Sequence, residues 1–272
     1  MTAVIREARP EDRPFIEEIA RLTWDGEDYL ARVFESWVKD GHFYVLELDG
    51  KVIGTAKLTL LPDKVGWLEG LRVHPDYRGR GFGRMIQNFM LQKGKRLAEE
   101  GIIRALEFST YYLNKESIAM AKKDGFKIVK RYYIMGKAVE EIKPSKPSDS
   151  TIASLEELEY EEYIPVGWKF VHKVPEALDW LKEKAIIKEC GGTKFMMPKD
   201  SESAFVPFHL SKPYVKQLLP CMAQEALKAN QKYLEIMVPE ERKELLEPFR
   251  ELGFEVWDNP KEPNVLVFRR AL

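Results

Sequence analysis

Cysteine is nearly absent from this chain: Cys190 and Cys221 are the only two among 272 residues, far apart and without a CxxC spacing. That scarcity supports neither a disulfide framework nor a zinc site, and both residues are expected to be buried thiols. A surplus of charge is lacking as well. Lys plus Arg number 43 against 44 Asp plus Glu, so no basic field exists to draw nucleic acid or an anionic membrane, and neither is expected as a partner. No apolar run approaches the roughly 20 residues that span a bilayer. The opening MTAVIREARPEDR carries neither the apolar core nor the small-residue cleavage site of an export signal, which leaves the cytoplasm as the expected location. The four histidines are scattered, and no metal site is expected. What is present is an ordinary globular composition, with 44% apolar residues in a length that fills one large domain or two modest ones. Charged residues reach 32%, a lean toward a thermophilic origin.

Periodicity divides the chain. Residues 4–8 read as a strand, and apolar Phe15, Ile16, Ile19, Ala20 and Leu22 follow at helical spacing. A second helix is expected over 29–38. Residues 42–48 and 51–60 flank Asp49-Gly50, the signal of a β-hairpin. Further strands are expected at 67–73, 102–110 and 126–139, with helices from the glycine-rich segment at 78–83 to residue 100 and over 115–123. Residues 143–150 are polar and carry Pro144 and Pro147, which resist helix and central strand alike, so they read as a linker. The domains expected are therefore 1–142 and 151–272. In the second, strand-like 162–173, a hairpin at Gly191-Gly192, a helix near 212–230 and a strand at 233–238 suggest another α+β unit. A shift of 128 places sets Leu106-Glu107 on Leu234-Glu235 and Gly125-Phe126 on Gly253-Phe254 in matched element order, which reads as a decayed duplication. The same shift sets residues 78–84 against 206–212, which hold no glycine. Only the first half can cradle a phosphate on a bared backbone.

That cradle is Arg78-Gly79-Arg80-Gly81-Phe82-Gly83-Arg84, reached from the strand through Leu71-Arg72-Val73-His74-Pro75. A helix N-terminus leaves about four N–H groups without partners and carries partial positive charge, so it can bind a pyrophosphate directly. Gly79, Gly81 and Gly83 let the backbone approach the anion with no Cβ in the way. Arg78, Arg80 and Arg84 either add charge at the rim or are simply solvated. His74 beside Pro75 reads as the end of a strand. Two rival phosphate sites fail on detail. Arg84 stands where GxGxxG needs its last glycine, and the loop follows four strands instead of opening the first βαβ unit. A P-loop would need Gly-Lys-Ser/Thr, which the chain lacks.

Arg78-x-x-Gly81-x-Gly83, after a strand ending Leu-x-Val-x-Pro, resembles the acyl-CoA motif of the GCN5-related N-acetyltransferase (GNAT) superfamily. Asn114, eleven residues before Gly125-Phe126, is similar to the start of that family's later Asn-to-Gly-Phe helix, and the element order β-α-α-β-β-β-α-β-α-β over residues 3–140 fits. The resemblance implies an α/β (α+β) GNAT fold, a mixed central sheet flanked by helices, followed by a second, degenerate GNAT-like domain. It implies acetyl-CoA as cofactor, held by Leu71, Arg72, Val73, Arg78, Gly79, Arg80, Gly81, Phe82, Gly83, Arg84 and Asn114. Strand 67–73 would splay from 102–110 to admit the pantetheine arm.

Amide formation needs a neutral amine, whereas a lysine-like group has a pKa of about 10. Glu69 stands where many relatives carry a strand glutamate that accepts the proton directly or through water. Regular alternation would place Glu69, Leu71 and Val73 on one face; the other reading of Glu69 is a structural ion pair. The N–H of Leu71 or Val73 would stabilise the oxyanion. Relatives often protonate the leaving thiolate with a tyrosine where this chain has Ala121. Tyr111, Tyr112, Tyr132, Tyr133, a water or unaided departure are the alternatives, and a protein that binds CoA without transferring anything is another. Trp24-Asp25-Gly26-Glu27-Asp28-Tyr29-Leu30, with Trp37 and residues 68–73, looks similar to two-domain acetyltransferases that include histidine-acetylating enzymes. That implies a small-molecule amine such as an amino acid, bound near Trp24, Asp25, Glu27, Asp28 and Tyr29, with Asp25, Glu27 or Asp28 attracting the ammonium unless these acids are merely solvated. A protein N-terminus or a lysine side chain is the other acceptor class. Monomer and homodimer are both compatible with the sequence.

Overall fold

A computed structural model of the chain describes residues 2–26, 28–199, 204–258 and 260–272, with Asp25 described in its backbone only. The fold is mixed α/β and packs as two compact units, Met1–Phe108 with Arg269–Leu272, and Ser109–Phe268.

In the first unit β1 (Ala3–Glu7), β2 (Phe43–Leu48), β3 (Lys51–Leu60) and β4 (Val65–Val73) run antiparallel, and β5 (Ala105–Tyr111) joins β4 in parallel. Asp49 and Gly50 take φ of 48° and 85° between β2 and β3, the left-handed turn that Asp-Gly favours. Strand alternation then separates two helical layers. Phe43 meets Phe34 and Trp37 of α2 (Leu30–Asp40) at ring distances of 6.2 and 5.2 Å. Its neighbour Tyr44 meets Phe89 of α3 (Phe82–Glu99) at 4.9 Å on the opposite face. Gly54 also faces α3, where a Cβ would lie 2.7 Å from Ile86 Cδ1. Ile16 and Ile19 of α1 (Arg13–Arg21) bury with Leu30, Val33, Phe34 and Trp37 on the α2 side. Each such side chain contributes about 1.5–3 kcal/mol of burial. The last four residues of the chain close this unit: Leu272 N–H donates to Arg104 O at 3.1 Å, and Arg269 pairs with the fully buried carboxylate of Glu107.

The second unit contains α4 (Lys115–Lys123), β6 (Lys127–Ala138), β7 (Ser148–Asp149), β8 (Tyr163–Val166), β9 (Lys169–His172), α5 (Ala177–Lys184), β10 (Ala185–Cys190), β11 (Thr193–Pro198), β12 (Val206–Pro207), α6 (Lys212–Lys228), β13 (Tyr233–Pro239), α7 (Leu246–Arg250) and β14 (Glu255–Val256). β15 (Val265–Ala271) begins in it. β13 and β14 both pair with β6, and β12, β11, β10 and β7 form a smaller antiparallel sheet. Residues 162–173, expected as one strand, are a hairpin, because Gly167 at φ 64° turns β8 onto β9. The expected free thiols are a disulfide: Cys190 ends β10, Cys221 lies in α6, and their Cα atoms are 6.2 Å apart. No motif announces that bond, because only the packing of α6 on the small sheet brings the two residues together. Among the described residues no helix is long and apolar enough to cross a membrane.

Candidate functional site

The pairing of β4 with β5 ends at Trp67 and Glu107, so among the described residues no strand pairs with that edge over 68–73. The ladder fixes which groups face that edge. His74 N–H donates to Ile53 O at 2.8 Å, which makes the preceding opposed pair, Gly54 and Val73, the one whose N–H and C=O point away from each other. Val73 C=O accepts Arg78 Nε at 3.0 Å, and its N–H is left directed at the opened edge. His74 is buried, and its Nδ1 accepts the Asp76 N–H, starting a 3-10 turn over Pro75–Tyr77. With Nδ1 accepting, Nε2 carries the proton and faces Glu18 Oε1 at 3.4 Å.

The turn delivers the chain to the glycine loop. Gly79 and Gly81 sit at φ 73° and 85°, the left-handed region that favours glycine, and a Cβ at either would meet nothing within 4 Å. Backbone conformation thus demands both glycines, while the space beside them stays open. The first helical bond of α3 runs from Met85 N–H to Gly81 O at 3.0 Å, so the amides of Phe82 and Gly83 precede it without intrahelical acceptors. Arg80 lies over the Tyr77 ring at 5.5 Å. Bared amides at the positive end of an 18-residue helix, with arginines at the rim, fit a diphosphate.

Glu69 lies on the α2 face of the same strand, half-buried, with Thr59 Oγ1 donating to its Oε1 at 2.6 Å. The expected shared face for Glu69, Leu71 and Val73 does not form. Lys57 opposes Glu69 and Thr55 opposes Arg72, so Ala56 alone on β3 faces both Gly70 and Leu71 on β4, a bulge at Gly70-Leu71. Gly70 takes φ 64°, and a Cβ there would lie 2.5 Å from Trp37 Cζ3. The bulge keeps Glu69 and Arg72 on the α2 face and turns Val73 toward α3.

Residues 6–126 match the acetyltransferase (GNAT) family. They form a GNAT domain. The chain is 32% identical over 110 residues to histidine N-acetyltransferase of Xenopus tropicalis, covering 35% of this chain and 34% of that protein. It is 31% identical over 78 residues to mycothiol acetyltransferase of Thermomonospora curvata, covering 29% and 26%. The chain thus aligns with about a third or less of the length of these relatives. It shares a fold with a candidate acetyltransferase of Thermoplasma acidophilum, with a TM-score of 0.62 at 20% identity over 99% of this chain and 100% of that one.

Several residues singled out in the sequence have definite places. Asp28, within the GNAT domain, is buried against Arg72 at 2.6 Å, so its charge is already compensated. Trp24 is 60% exposed and stacks on Arg72 at 4.2 Å; Tyr29 lies 5.6 Å from the same guanidinium. Glu27 lies outside the described residues, as does the side chain of Asp25. Asn114 caps α4, its Oδ1 accepting Ser117 N–H at 3.2 Å, and Ala121 is buried. Tyr132 and Tyr133 are core residues, and burial raises both phenols. Tyr111 donates to Asp258 at 2.7 Å; burial, then that bond, holds its phenol above its ordinary range. Tyr112 bonds through its backbone to Asn264 O at 2.9 Å. Sequence reading missed Glu107 with Arg269; the one signal was a carboxylate within the apolar run Ala105-Leu106-Glu107-Phe108. Among the described residues no cluster of His, Cys, Asp and Glu could hold a metal.

Proposed function

We propose that the protein is an acetyl-CoA-dependent N-acetyltransferase acting on the amine of a small molecule such as an amino acid. The observation that carries this reading is the junction at Val73, where an unpaired strand edge runs into left-handed glycines and the bared N-terminus of α3. The amides of residues 79–84 would hold the pyrophosphate, with the edge of residues 71–73 beside the pantetheine arm. When bound, acetyl-CoA supplies a thioester carbonyl that a neutral amine can attack. Glu69 would accept the proton that the amine must lose, directly or through a water, and cleavage of the C–S bond would release CoA as a thiolate that takes its proton from water. The N–H of Val73 would be the chain's donor for the charge that develops on a bound thioester's oxygen, the kind of preorganised contact worth about 3–4 kcal/mol. Residues 206–212, without glycine, bind no cofactor in this scheme.

Calorimetry with CoA, followed by detection of CoA thiol released from acetyl-CoA across amino acids, amines and peptides, tests the proposal. Micromolar CoA binding with turnover of small amines is expected. Turnover of peptides alone would move the acceptor to protein termini or lysines. Tight binding with no turnover would leave a CoA-binding regulator.

A further inference from the structure

The α2 face of β4 carries, one pleat position beyond Glu69, a guanidinium that the reaction does not consume. Asp28, with no exposed side-chain surface, grips Arg72 only through Nε; its other oxygen accepts Leu30 N–H at 3.0 Å. Arg72 Nη1 donates to Leu71 O at 3.0 Å, and Nη2 donates to none of the described residues. The side chain keeps 14% exposure. Trp24 covers one face of the guanidinium at 4.2 Å while staying largely exposed itself, so the stack orders the arginine more than it fills a core. The arrangement fixes one edge of a planar fork and presents the terminal edge, which matches a carboxylate.

We propose that Arg72 binds a carboxylate on the acceptor, so that the amine acetylated is the α-amine of a free amino acid or a similar amino-carboxylate; the assignment rests on the acetyltransferase reading above. The spacing suits that class. The bulge leaves Glu69 and Arg72 at successive positions of one face, about 7 Å apart along the strand. An α-amino acid has its nitrogen and carboxyl carbon about 2.5 Å apart. One charge-assisted hydrogen bond of about 2.8 Å at either end then spans about 8 Å. A peptide N-terminus has no carboxylate at that distance, and a simple amine has none at all.

The test is kinetic, on matched pairs of an amino acid and its decarboxylated amine: histidine with histamine, phenylalanine with phenethylamine. The wild type should favour the amino acid. In Arg72→Gln the ratio of kcat/KM for acid over amine should fall about 10- to 100-fold, the loss of a hydrogen-bonded charge, with the change in KM, and Arg72→Lys, which keeps the charge but not the planar fork, should lower it less. Trp24→Ala removes an exposed ring without threatening the core and should lower the same ratio less. Calorimetry with N-acetylhistidine and N-acetylhistamine should show the same loss of preference. A wild type that acetylates both members of each pair equally, acetylates peptides alone, or has variants that lose both members in parallel would overturn the proposal. A wild type that neither binds CoA nor turns over any amine would fail earlier, at the acetyltransferase reading itself.

Discussion

The two halves of the chain pass through the same local sequence of events and arrive at opposite chemistry. Gly125 and Gly253, 128 places apart, both end a helical segment in the left-handed region, at φ 79° and 85°, and each is followed by a buried phenylalanine. Upstream the halves diverge. Before α3 stand Gly79 and Gly81, open to solvent. At the matching places before α6 stand Pro207 and His209, interleaved with Phe208 and Leu210 of the second unit's core. Leu210 N–H already donates to the Glu159 carboxylate at 2.9 Å, and Arg242 pairs with the same carboxylate at 2.8 Å. On the proposed reading the first half offers amides to an outside anion, whereas the second has supplied an anion of its own. If the proposed site is right, the element order that the halves have in common does not carry it, and a few small residues at one helix start do.

The largest test of this contrast is Glu69→Gln, which should lower kcat about 100- to 10,000-fold while leaving CoA affinity unchanged. A variant as fast as wild type from pH 6 to 9 would remove Glu69 as the proton acceptor. Next is the disulfide of the second unit. Opening a 31-residue loop should cost about 3–4 kcal/mol, read as a lowered melting temperature in dithiothreitol or in Cys221→Ser. CoA affinity should survive it; a parallel loss would mean that the second half supports the cofactor site. Smaller still is Gly81→Val, which forces a β-branched residue into left-handed backbone at about 1–2 kcal/mol and should weaken CoA binding about tenfold. His209→Val, at the matching place, should leave CoA binding as it was. Equal losses at both positions would erase the distinction between the halves.

What the sequence disclosed follows from the range of the forces involved. The Asp49-Gly50 hairpin, the glycine loop and the helix at 115–123 are written in neighbouring residues, and all appear where expected. Gly70 was legible in principle, since a glycine inside a strand often marks a bulge, yet alternation alone predicted a shared face that does not form. The union of Cys190 with Cys221, the capture of Asp28 by Arg72 and the return of residues 269–272 to the first unit join segments 31 to more than 100 residues apart. Each is fixed by packing and leaves no local trace. The same distance hid the carboxylate of Glu107, whose partner Arg269 comes from the other end of the chain.

Acid should act where reductant does not. Asp12 is buried ahead of α1, with Arg6 donating from Nη1 and Nη2 to its two oxygens, each at 2.7 Å, and Arg9 N–H donating at 2.8 Å. Burial pushes this carboxyl up, but the Arg6 and Arg9 bonds outweigh it and hold the group below its ordinary value. A carboxylate depressed on folding contributes stability that is complete above its unfolded pKa, about 3.9, and that is lost as pH falls through the lower folded value. Asp12→Asn should therefore cost about 1–2 kcal/mol at neutral pH. In denaturant titrations the gap between variant and wild type should stay constant down to about pH 4 and close below it, in the presence and absence of dithiothreitol alike. A gap that persists to pH 2 would assign Asp12 a role of shape.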